Sequence, residues 1–145
     1  MNCVSRLFGL VLALGALAAS AAPATLYERL GGEPGVTAIA TALIDRVAGD
    51  SMLGRSFKDS NLAQIKRHLA GQLCELSGGP CRYEGDQMRE VHAGHNISEA
   101  EFYGMVNALS EILHERAVAL ADRNQLLALL APMKRDVVRV PADGS

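Results

Sequence analysis

The chain has 145 residues, 49% of them apolar, no tryptophan and a formal net charge of −2. That length implies one domain with enough apolar residues to bury a core. Acidic and basic residues are interspersed without a charge run, which argues against nucleic acid as a partner, and a surplus of Ala and Leu over aromatics favours helices over sheets.

In chain order, the first element is a leader. Arg6 precedes an apolar run over 7–17 that is too short to span a bilayer comfortably, and Ala19, Ser20 and Ala21 have the small side chains of a signal-peptidase site. Residues 1–21 read as a secretory signal peptide cleaved near Ala21–Ala22, rather than as a membrane anchor. The expected mature domain is 22–140, exported, periplasmic and without stable membrane insertion, followed by a disordered tail at 141–145. Cys3 precedes the apolar run, so it is not placed like a lipoprotein cysteine. Cleavage leaves Cys74 and Cys81, an even count that suggests a disulfide in an exported protein, with two free thiols as the alternative.

The mature chain reads as six or seven helices and no convincing strand. "TLYERLGGEPG" is a short helix stopped by Gly31 and Gly32. A second helix starts around Pro34, and Val36, Ile39, Ala40, Leu43, Ile44 and Val47 trace one face of it. An irregular corner carries Phe57. A third helix, 62–76, has the stripe Leu62, Ile65, Leu69, Leu73 and Leu76, with His68 on or beside it. The loop "SGGPCRYEG" leads into a short helix over 86–93 that Gly94 ends. Ser98 and Glu101 form a capping box for the next helix, whose apolar face carries Phe102, Met105, Val106, Leu109, Ile112 and Leu113. The last helix spans 123–138, and Pro132 kinks or resets it.

The histidines carry the chemistry. His68 fits a half-buried residue hydrogen-bonded to a carbonyl, and His92, near a helix end, fits a cation on the helix dipole. His95 and His114 read as exposed. His92 and His95 lack the further ligands of a structural zinc site, no Cys-x-x-Cys-His stretch is present for covalent c-type haem, and there is no phosphate loop or nucleophile elbow. A second reading uses both His68 and His92. They stand on two helices separated by a loop, which can face each other across a flat haem in a slot lined by Phe57, Leu69, Leu73, Met88, Ile97 and Phe102.

The stretches "LYERLGG", "QLCELSGGPCRYEG", "MREVHAGHNIS" and "LLALLAPMKRDVV", in this order and spacing, resemble the group I truncated haemoglobins, over roughly 25–138, and within them a proteobacterial branch. The resemblance implies a shortened all-α globin fold, two helices crossed over two, around non-covalent haem b. It puts His92 on the proximal iron ligand and Phe57 on the aromatic that packs against the haem; Tyr83, Met88, Ile97 and Phe102 fall on other haem-pocket positions, and Ile65, Leu69 and Leu73 of the third helix are further candidates to line the haem. Group I proteins often carry a distal tyrosine where this chain has Ile44, and a glutamine where it has Leu69. Losing both donors weakens the hold on bound oxygen. His68 falls where some cyanobacterial members carry a second iron-ligating histidine, which implies bis-histidine iron that an external ligand opens. Such ligation needs the neutral imidazole, so acid weakens it. Lys66, Arg67 and Arg89 are candidate partners for the haem propionates.

The resemblance therefore implies reversible binding of O2, NO or CO, with electron transfer by a bis-histidine haem as the alternative. Enzymatic turnover would be at most a nitric oxide dioxygenase- or peroxidase-like side activity, and dioxygenation would need a reductase that nothing in the chain identifies.

Overall fold

The computed structural model describes residues 22–139; the expected signal peptide and tail lie outside the described residues. Thr25 caps α1, Leu26–Arg29, and its side chain and the Glu28 carboxylate satisfy each other's backbone N–H groups. The chain then reverses at Gly31 (φ 97°) and Gly32 (φ 63°). The second helix, α2 (Gly32–Ala48), starts two residues earlier than Pro34 suggests. It packs so tightly on the end of α1 that a Cβ on Gly35 would lie 1.9 Å from the Leu30 carbonyl oxygen. All six positions of its expected stripe are buried.

A 3₁₀ turn, Gly54–Phe57, forms the corner, and Asn61 caps α3, Leu62–Leu76. Of the expected α3 stripe only Leu73 is fully buried; Leu62, Ile65, Leu69 and Leu76 are half-buried. The short helix α4 is a single turn, Met88–Val91, half the length the sequence suggests. The capping box of Ser98 and Glu101 opens α5, Glu99–Glu115. The expected last helix is divided into α6 (Leu120–Leu130), a 3₁₀ turn (Ala131–Met133) and α7 (Lys134–Val137). Pro132 is the physical reason, because it has no N–H to continue the ladder and its ring crowds the preceding turn.

Packing is two over two. α2 lies against α3 and α5, and α6 against α5 and α1, while α4 rests on α7. The core between the pairs includes Leu26, Ile39, Ile44, Leu73, Ile112, Leu113 and Leu126. The described elements are all helical, and none is long and apolar enough to cross a membrane.

The Cys74 and Cys81 sulfurs are at bonding distance, with Cα atoms 5.8 Å apart. This ties the buried end of α3 to the loop that leads to α4.

Candidate functional site

His92 is the C-cap of α4, half-buried, with its Nδ1 2.7 Å from the Met88 carbonyl oxygen. A carbonyl only accepts, so Nδ1 carries the proton and Nε2 keeps its lone pair. Burial pushes the imidazole below its ordinary pKa, against the raising effect of the Met88 carbonyl, with His95 and Arg139 lowering it further. A neutral ring with one free, oriented nitrogen is what iron or another transition metal requires.

The residues before His92 are set against α3. The Tyr83 ring stands edge-on to His68 at 6.3 Å between centroids, and its hydroxyl donates to the Asp86 carbonyl. Burial raises the Tyr83 pKa, so the phenol stays protonated. Gly85 lies beneath that ring, where a Cβ would come within 2.2 Å of the Tyr83 oxygen and displace the ring. One turn beyond His68, the Gln72 amide nitrogen lies 3.5 Å from the Met88 sulfur and 3.6 Å from the Met133 sulfur. Gln72 is 8% exposed, a buried amide whose hydrogen bonds among the described residues go only to thioethers, which are weak acceptors. It escaped the sequence reading because a glutamine beside an apolar stripe reads as solvated; its spacing of seven from Ile65 and three from Leu69 was the available signal.

Around these groups, Phe57, Ile65, Leu69, Tyr83, Met88 and Phe102 are half-buried, and Ile97 and Leu73 are buried. His68 is half-buried, with its Nε2 3.4 Å from the Gln64 amide nitrogen. Ile44 is buried in the α2 core and offers no polar atom. Lys66 pairs with Asp45 at 2.5 Å and Arg89 with Asp136 at 3.0 Å, so both cations have protein partners, whereas Arg67 makes no ion pair among the described residues. His95 is half-buried rather than exposed, and His114 is exposed.

Residues 25–139 match the family model of bacterial-like globins. The chain belongs to the bacterial-like globin family. This globin is 32% identical over 110 residues to the Group 1 truncated hemoglobin of a Nostoc species, covering 76% of this chain and 93% of that one. It is 28% identical over 116 residues to the Group 1 truncated hemoglobin of Tetrahymena pyriformis, covering 80% and 96%. The crystal structure of the Tetrahymena pyriformis truncated hemoglobin in its Fe(III) form aligns with a TM-score of 0.75 at 28% identity, over 79% of this chain and 98% of that one. The 2/2 hemoglobin from Synechococcus, solved with covalently attached heme, shares the fold with a TM-score of 0.74 at 24% identity. Two-over-two packing in this globin is thus that of the truncated hemoglobins, a family of haem-based, gas-binding proteins.

Proposed function

We propose that this globin holds non-covalent haem b and binds O2, NO or CO reversibly, with His92 as the proximal iron ligand. The observation that carries the reading is the His92 Nδ1 bond to the Met88 carbonyl, which leaves Nε2 as the free donor. Phe57, Ile65, Leu69, Leu73, Met88, Ile97 and Phe102, all buried or half-buried, would line the haem with apolar side chains, with Tyr83 beside them. Lys66 and Arg89 can extend their existing carboxylate pairs to the propionates. The haem, when bound, supplies an iron with one position for a diatomic ligand.

His68 is the residue proposed to occupy that position when no gas is present. Its support is its place on α3 next to Leu69, together with the lack of polar atoms on Ile44 and Leu69. Its present neighbours, Gln64 and Tyr83, would be exchanged for iron by rotation of the side chain. The protein is further proposed to be exported after cleavage of residues 1–21, which accounts for an oxidised Cys74–Cys81 pair.

Haem titration followed by optical spectroscopy tests the reading, in the ferric and ferrous states, on wild type, His68→Ala and His92→Ala. One haem per chain is expected, with ligation lost in His92→Ala. Haem that binds His92→Ala with an unchanged spectrum overturns the assignment. Ferrous wild type that resists carbon monoxide would replace gas binding with electron transfer.

A further inference from the structure

The helix bearing His92 has only four residues, too few to hold its own geometry in water. The linker that follows it, 93–97, contains two left-handed residues, Gly94 (φ 83°) and Asn96 (φ 49°), and among the described residues its amides make few backbone bonds. The position of the His92 ring therefore depends on what holds the chain on either side. Upstream, Tyr83 and Gln72 set it against α3.

Downstream, the Arg139 N–H donates to the Ile97 carbonyl (2.9 Å), and one side chain holds 95–96. Arg55, in the 3₁₀ corner that also carries Phe57, donates from Nη1 to the His95 carbonyl (3.1 Å) and from Nη2 to the Asn96 carbonyl (3.0 Å). The same guanidinium forks onto the Glu101 carboxylate through Nε (2.5 Å) and Nη2 (2.7 Å). That carboxylate in turn accepts from the Ser98 backbone and hydroxyl. Glu101 is 7% exposed and held by its bonds to Ser98, so it fixes the otherwise half-exposed Arg55 side chain in place. A planar fork can satisfy two carbonyls and a carboxylate together, which a lysine cannot.

We propose that Arg55 is the positioning residue for the proximal histidine: it clamps 95–96 to the Phe57 corner, and so sets the angle and distance at which His92 meets the haem iron. This rests on the haem-globin reading above. Arg55 does not itself touch the haem in this proposal; it acts through the linker.

The test uses mature protein loaded with haem, with His68→Ala as the parent so that the ferrous iron is five-coordinate and shows its histidine stretching band, alone and combined with Arg55→Gln, Arg55→Lys or His92→Ala. Three quantities are read: the iron–histidine stretching band of the ferrous protein by resonance Raman, the rate of haem loss to an excess of apomyoglobin, and hydrogen exchange at the His95 and Ser98 amides of haem-free protein. In Arg55→Gln the band is expected to shift and broaden, haem loss to rise by about tenfold, within the range seen for partners behind a metal ligand, and both amides to exchange faster. Arg55→Lys should move each quantity the same way by less. It carries the test if Arg55→Gln fails to fold. Bands, haem loss and exchange that match the His68→Ala parent in the Arg55 variants overturn the proposal, even if thermal stability falls. If that parent lacks the band, or His92→Ala added to it keeps the band, the haem reading itself has failed. If His92→Ala abolishes the band while Arg55→Gln and Arg55→Lys leave it unchanged, only the clamp has failed.

Discussion

The Nδ1 of His92 and the carbonyl oxygen of Met88 lie 2.7 Å apart, across the single turn of α4. This bond fixes the tautomer from within four residues of chain, so which of the two nitrogens is free does not depend on any distant partner. The backbone supplies the acceptor, and no side-chain substitution at Met88 removes it.

His92→Ala is therefore expected to lose haem far faster than wild type. The loss should exceed the roughly 10–100-fold penalty of removing a mere outer partner of a metal ligand. Free imidazole added to the variant should restore part of the spectrum. Stopped-flow transfer of haem to apomyoglobin checks both.

His68→Ala should convert a low-spin, six-coordinate ferric spectrum to a high-spin one. If the closed form makes up 90–99% of wild type, its removal raises the apparent affinity for external ligands by roughly 10–100-fold. Ligand titration of both proteins measures that factor. A high-spin wild type, with no change on substitution, would mean that His68 keeps to Gln64 and Tyr83.

Reduction of the Cys74–Cys81 pair should lower stability by about 2–3 kcal/mol, from the entropy of an eight-residue loop. Cys81→Ser should reproduce this. Cys74→Ser should cost more, because Cys74 is 1% exposed and a hydroxyl there is buried. Urea melts of the three forms, with and without a dithiol reductant, give the comparison.

Acid should loosen the clamp in a defined window. Arg55 first, then the Ser98 backbone and hydroxyl, pull the Glu101 carboxyl down to about 2 from its ordinary 4.5, against burial. A lowered folded-state value contributes stability that is fully present above pH 4.5 and is lost as pH falls towards 2. The wild-type unfolding midpoint should fall through that window, and Glu101→Gln should flatten the fall while lowering stability at neutral pH.

Gln72→Met should be neutral or stabilising. The amide gives up water for two thioethers, and a methionine of similar length fills the same space without buried polar atoms. A loss of more than about 2 kcal/mol in a urea melt would show that the amide has a stronger role than packing.

The sequence by itself determined the helical class, the buried face of α2 and the Ser98–Glu101 cap. Each is a local signal, repeated every three or four residues or completed within one turn. The motif order was enough to point to the globin family that the comparisons establish. Only the tertiary structure decided the rest. It left Ile65 and Leu69 half-buried, because the neighbours that cover α3 come from distant parts of the chain. It buried Gln72 beneath Met133, 61 residues away, and joined Arg55 to Glu101 across 46. Such pairs leave no periodic trace: a lone arginine in a polar corner and a glutamine on a helix look like solvated residues until the chain folds their partners onto them.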